Sequence, residues 1–186
     1  MTKVAQNPWT TLSSIDIFEN NWIKLTDHNV TNPAGQPGKY GVVHFKNRAV
    51  GIVPYEDGYV WLVGQTRYAL DQYSWEIPEG GCPLDESLEA CAYRELREET
   101  GLEAQNLRQI LQMHLSNSVT DELGIVYLAT GLTRTQAEPE PTEDITVERV
   151  LLEEFHQRVE GGEITDSLTV AACYKIMLMR ANGELD

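Results

Sequence analysis

Apolar and polar residues alternate along most of this chain with the period of two that marks strands, and the 3.6-residue period of helices enters at a few places. After a loose arm over residues 1 to 10, Leu12, Ile15 and Ile17-Phe18, then Trp22-Ile23-Lys24-Leu25, predict two strands between Thr11 and Val30, with Asn20-Asn21 as the hairpin tip. Asn32-Pro33-Ala34-Gly35-Gln36-Pro37-Gly38 is a turn cluster. Tyr40 to Phe45 and Ala49 to Pro54 read as strands, and Asp57-Gly58 turns the chain into a further one, Tyr59 to Gly64. Later strands are expected over Asn106 to Leu115, over Gly124 to Gly131, where Ile125, Tyr127 and Ala129 alternate with Val126 and Leu128, and over Thr146 to Leu152. Glu153 to Val159 reads as a short helix stopped by Gly161-Gly162. Asp166 or Ser167 caps a last helix through about Arg180, with Leu168, Ala171-Ala172, Ile176 and Met179 on its apolar side. Met177 and Met179 read as core filler, and the isolated His114 and His156 as structural. No internal repeat and no linker divides the chain.

One helix breaks its own pattern. Gly80 and Gly81 suggest a loop free to take positive φ, Pro83 with Asp85 marks a helix start, and Gly101 is a C-terminal stop, so a helix runs from about 86 to 100. Leu88, Cys91 and Ala92 lie on one stripe, and Leu102 falls back onto that line just past the end. Glu95, Glu98 and Glu99 occupy the same stripe, where the helix period calls for apolar residues. A charge run ordinarily faces solvent. These acids instead point at the core, where an unpaired carboxylate costs roughly several kcal/mol. Compensation must come from Arg94 or from a hard divalent cation, and Mg²⁺ suits clustered carboxylate oxygens.

Composition narrows the classes of partner. A chain of 186 residues that is 41% hydrophobic is long enough for a full α/β core. No stretch approaches the ~18 apolar residues of a membrane helix, and the first eight residues lack the apolar core of a signal peptide. Cys82, Cys91 and Cys173 are odd in number and form no C-x-x-C pair, which argues against a disulfide framework or a zinc site and for a reducing cytoplasm. A formal charge of -15 argues against nucleic acid as partner. An anionic nucleotide would need bound cations and a few arginines to reverse the local field.

The stretch Gly80, Glu86, Arg94-Glu95-Leu96, Glu98-Glu99, Gly101-Leu102 resembles the Nudix box: a glycine, five residues, a glutamate, seven residues, then Arg-Glu-aliphatic-x-Glu-Glu-x-Gly-aliphatic. All fixed positions match. Ahead of the box, Gln65-Thr66-Arg67 and Trp75-Glu76-Ile77-Pro78-Glu79-Gly80 resemble the ADP-ribose and nucleoside-diphosphate-sugar pyrophosphatase branch of that family. The resemblance implies an α/β/α sandwich with a mixed sheet, extended by an N-terminal antiparallel β-sheet (residues 1–45) that joins a homodimer, ahead of the hydrolase domain (46–186). It implies Mg²⁺- or Mn²⁺-dependent cleavage of the diphosphate of ADP-ribose and related nucleoside diphosphate sugars, giving a nucleoside monophosphate and a sugar phosphate.

The same resemblance suggests roles. Glu95, Glu98, Glu99 and the carbonyl of Glu79 are expected to bind metal, Arg94 to hold the carboxylates, and Glu86 to lock the box loop. Arg67 is expected to meet a diphosphate oxygen, with Trp75 and Glu122 as further substrate contacts, although Trp75 also reads as packing. In Ser116-Asn117-Ser118, asparagine and serine stand where ADP-ribose-selective relatives have proline and glycine, which implies a wider range of sugars. The general base is expected from the acidic loop Thr135 to Asp144, Glu140 first and Glu143 second, on a loop that closes over substrate. Three other readings stay open: a dinucleoside polyphosphate or oxidised nucleoside triphosphate as substrate, a non-catalytic nucleotide sensor on the same fold, and a Ca²⁺ site. A helical Glu-x-x-Glu-Glu lacks the loop oxygens that Ca²⁺ sites use.

Overall fold

Residues 6–137 and 144–185 are described in a computed structural model. In this range the chain forms β1 (Thr10–Glu19), β2 (Ile23–Thr31), β3 (Pro37–Phe45), β4 (Asn47–Glu56), β5 (Tyr59–Arg67), β6 (Gln72–Glu76), β7 (Glu79–Pro83), α1 (Leu88–Thr100), β8 (Leu102–His114), β9 (Leu123–Arg134), β10 (Thr146–Leu151), α2 (Leu152–Glu160) and α3 (Ser167–Ala181). None of the described helices is long and apolar enough to cross a membrane.

Two compact units result. The first takes the chain up to Asn47 together with His114–Glu122. Its sheet is β1-β2-β3, antiparallel throughout, with Val30 opposite Gly38 and Leu25 opposite Val43. Asn20 accepts from the amides of Trp22 and Ile23 through Oδ1, at 2.9 and 2.8 Å, which closes the predicted hairpin. The later segment is joined to β3 by a bridge between Val43 and Thr120, with Val43 N donating to Val119 O at 2.9 Å. Leu12, Ile15, Ile17, Phe18 and Trp22 are all more than half exposed on this sheet.

The second unit, Arg48–Met113 with Leu123 onward, holds a mixed seven-stranded sheet in the order β10-β5-β4-β9-β8, with β6 beside β5 and β7 beside β4. β4 runs parallel to β9 and antiparallel to β5, and the Asp57-Gly58 turn (φ 50° and 79°) suits the twist of that hairpin. Both faces of the sheet are apolar because both are covered. Val50, Ile52, Ile125, Tyr127 and Ala129 share a core with Cys91, Ala92 and Leu96 of α1. On the opposite side of β9, a Cβ at Gly124 would strike Leu168 of α3. α2 and α3 pack on each other, α2 against β10 and β5, and α3 against β9. The result is the expected α/β/α sandwich.

Local differences from the sequence reading have physical causes. Ser87 caps α1, with Pro83 at the end of β7 and Asp85 in the turn that follows it. β7 takes the place of the loop expected at Gly80-Gly81, because β4 supplies its partner, and β6 is an additional strand beside β5. Gly80 and Gly81 are extended, not left-handed. On α3, Cys173 is fully buried and Ala171 only partly so.

Candidate active site

Helix α1 carries the site. Ser87 Oγ accepts from Ala90 N at 3.2 Å, and Gly101 (φ 64°) ends the helix by donating its N–H to Arg97 O at 2.9 Å. The buried stripe is Cys91, Ala92, Glu95, Leu96 and Glu99. Its apolar members fill the core, while Glu95 and Glu99 are left 9% and 2% exposed. Glu98 is half-buried at their side.

One arginine gathers three of the acids. Arg94 donates from Nη1 to Glu95 at 2.7 Å and to Glu98 at 3.0 Å, and from Nη2 to Glu86 at 2.9 Å. Its hydrogen bond holds the Glu86 carboxyl below the usual glutamate range. Gly80 earns its place here by what it lacks. A Cβ at that position would collide with the Glu95 carboxylate, so only glycine lets the acid lie against the β7 backbone. Beside it, the Glu79 amide donates to Glu99 Oε2 at 2.9 Å.

A second acidic group adjoins the first. Glu76 at the end of β6, Glu79 at the start of β7 and Asp166 at the N-cap of α3 bring carboxylate oxygens within 4.8 Å of one another. Arg67 donates from Nε to Glu76 at 2.9 Å and from Nη2 to Glu79 at 3.0 Å. Thr169 of α3, fully buried, accepts from Ile77 N at 3.0 Å and so pins the segment between the two glutamates. Burial, then the charges of Asp166 and Glu76, push the Glu79 carboxyl well above its ordinary range.

These residues fit a hard divalent cation. The donors are carboxylate and carbonyl oxygens, and Glu79 Oε2 is buried with no hydrogen-bond partner among the described residues. Unneutralised, so many acids in so little water would be strongly destabilising.

The structure thus brings Glu79, Arg94, Glu95, Glu98 and Glu99 together and places Arg67 alongside through Glu76 and Glu79. Trp75 is half-buried, with its ring edge-on to Tyr73 at 5.6 Å and the Arg158 guanidinium 5.7 Å from its centroid. Glu122 belongs to the first unit. Glu140 and Glu143 lie outside the described residues. The sequence reading missed Glu76 and Asp166 as members of the group. Glu76 had a signal, an acid inside the Trp75–Pro78 run, whereas Asp166 reads locally only as a helix cap.

A model of the NUDIX domain matches residues 45–169, and one of the nucleoside diphosphate sugar hydrolase N-terminal domain matches residues 9–43. The chain is 32% identical over 173 residues to the ADP-ribose pyrophosphatase of Bacillus subtilis (strain 168), covering 92% of this chain and 94% of that one. It is 30% identical, over the same shares of each chain, to the methanol dehydrogenase activator of Bacillus methanolicus. A crystal structure of an ADP compounds hydrolase superposes with a TM-score of 0.86 at 19% identity, over 98% of this chain and 100% of that one, a likeness of fold. With the acid-bearing helix, its supporting sheet and a domain match over most of its length, the chain belongs to the Nudix hydrolases.

Proposed function

We propose that the enzyme hydrolyses the diphosphate bond of ADP-ribose and related nucleoside diphosphate sugars, giving a nucleoside monophosphate and a sugar phosphate. The carrying observation is the set of carboxylates buried around the Gly80 backbone, which only cations make tolerable. The likeness to an ADP-ribose pyrophosphatase along nearly the whole chain supports the choice of substrate.

Glu95, Glu98, Glu99 and the carbonyl of Glu79 are the proposed holders of Mg²⁺, or Mn²⁺, which supplies positive charge against the diphosphate and lowers the pKa of water. Arg94 keeps Glu95 and Glu98 in fixed orientation, and Glu86 anchors Arg94 from the other side. Arg67, seated on Glu76, presents its guanidinium to a diphosphate oxygen. Trp75 and Glu122 are proposed as further substrate contacts. In the reaction, the oxygen of water bonds to phosphorus and the bridging P–O bond breaks. The water proton passes to a carboxylate of the 135–144 loop, Glu140 first and Glu143 second. With β1 and the turn after it offering Leu12, Ile15, Ile17, Phe18 and Trp22 to a second copy, the working unit is a homodimer of the cytoplasm.

A panel of ADP-ribose, GDP-mannose, UDP-glucose and diadenosine polyphosphates, each with Mg²⁺ and with Mn²⁺, tests the proposal. The expected result is highest kcat/KM on ADP-ribose, with AMP and ribose 5-phosphate as products. Cleavage confined to the dinucleotides moves the enzyme to another substrate class. Ligand binding with no product in either metal makes the protein a sensor.

A further inference from the structure

Cys82 on β7 and Cys91 on α1 are both fully buried, and a buried free cysteine ordinarily acts as a small apolar side chain. The surroundings here are not apolar. The two sulfurs and a carboxylate oxygen of Glu86 lie within 4.8 Å of one another. Each sulfur also receives a guanidinium N–H: Arg48 Nη2 stands 3.3 Å from Cys82 Sγ, and Arg94 Nη2 stands 3.4 Å from Cys91 Sγ. On its other side, Cys82 Sγ faces the carbonyls of Pro83 at 3.6 Å and Glu86 at 3.7 Å, oxygens that favour a proton or a cation at the sulfur.

We propose that Cys82, Cys91 and Glu86 form a site for one soft divalent ion of the zinc class, set behind the acid-bearing helix and separate from the Mg²⁺ site. Two thiolates and a carboxylate are a donor set that selects Zn²⁺ or Cd²⁺ over Mg²⁺. Tetrahedral Zn²⁺ with Zn–S of about 2.3 Å places its ligand atoms under ~4 Å apart, so a small closing movement completes the site. Burial pushes the Cys91 thiol up, so it stays protonated until an ion displaces its proton. Glu86 is the partly exposed member and provides the way in. Because Glu86 also anchors Arg94, filling this site loosens the guanidinium that holds Glu95 and Glu98. Zinc-class ions therefore inhibit the hydrolase even when Mg²⁺ is saturating. The inhibition rests on the hydrolase reading above, and the binding does not.

The test is titration of the reduced, metal-free, full-length protein with Cd²⁺ in excess Mg²⁺, following the ultraviolet thiolate-to-cadmium charge-transfer band. One equivalent of band is expected, lost in C82A and in C91A, weakened in E86Q and unchanged in C173A. Wild-type ¹¹³Cd resonance in the range of two sulfur ligands supports the same site without any variant that has to fold. Stoichiometric Zn²⁺ should abolish most turnover of the wild type and spare C82A/C91A. Cadmium bound without the band, a resonance typical of oxygen ligands alone, or a band that survives in C82A/C91A overturns the site. If no substrate is turned over at all, the band and the resonance still decide it.

Discussion

Two arginines of this protein each hold three glutamates, and only one of the two clusters is a catalytic candidate. Arg158 on α2 bonds Glu148 at 2.8 Å and Glu154 at 2.6 Å and lies 3.9 Å from Glu163. Arg94 bonds Glu86, Glu95 and Glu98 at 2.7–3.0 Å and, like Arg158, reaches one partner four residues away on its own helix. The difference lies in depth. The acids around Arg158 are 38–54% exposed, and water screens them. Those around Arg94 are 12–25% exposed and, with Glu79 and Glu99 beside them, make five acids around Arg94 and Arg67. Spacing and charge alone do not mark a site here. Burial with an excess of one sign does.

The sharpest way to break this comparison is to remove one buried charge and one exposed charge in parallel. Glu99→Gln should lower kcat by about a thousandfold, roughly 4 kcal/mol of barrier, with an unchanged circular dichroism spectrum. Glu154→Gln should leave kcat within about twofold. Equal losses in the two variants would place the chemistry elsewhere. Arg94→Lys and Arg158→Lys form the next pair. Lysine keeps the charge but cannot fork to three carboxylates at once. Arg94→Lys should cost about ten- to a hundredfold in kcat, mainly through misplaced Glu95 and Glu98, and Arg158→Lys should change only the melting temperature.

How much of this contrast could be read from the sequence depends on the reach of each feature. The strands from Thr10 to Arg67 and the three helices were legible because alternation, turn residues and caps are local. The acids of α1 were legible too, since helical period alone puts Glu95 and Glu99 on the buried stripe. Gly80 was read for backbone freedom, but its reason is space for the Glu95 carboxylate, which only the packing of β7 on α1 reveals. Asp166 joins Glu76 and Glu79 from the far end of the chain, and Cys82 meets Cys91 without any C-x-x-C spacing. Such tertiary meetings leave no periodic trace. Nothing local in Ser116–Glu122 says that it lies with the first sheet, which rests on the pairing of Val43 with Thr120.

Glu79 sharpens the comparison through pH. Its folded pKa is raised, whereas the unfolded chain ionises it near about 4.3. Below that value both states are protonated and nothing is lost. As pH rises the unfolded state ionises first, so the metal-free protein is progressively destabilised until the pH passes the raised folded pKa. Glu79→Gln removes this penalty and keeps the main-chain carbonyl. Its melting temperature should match the wild type at pH 4 and exceed it at pH 8 by about 3–6 °C, for a penalty of order 1–2 kcal/mol. Added Mg²⁺ should narrow the gap, because a nearby cation favours the ionised carboxylate. A gap that is largest at pH 4 would reverse the sign and remove the argument.

Glu148, at the exposed cluster, runs the other way. Its hydrogen bonds to Arg158 lower its pKa, so its contribution is present above the unfolded value and is lost as pH falls through the folded one. The side chain is 38% exposed, so screening keeps the contribution small, about 0.5 kcal/mol. Glu148→Gln should therefore lower the melting temperature by about 1–2 °C at pH 7, and the difference should fade toward pH 3 and in high salt. Turnover should not move. A loss above about 2 kcal/mol, or one indifferent to salt, would mean that Arg158 is buried in function as well as in name, and depth would no longer separate the two clusters.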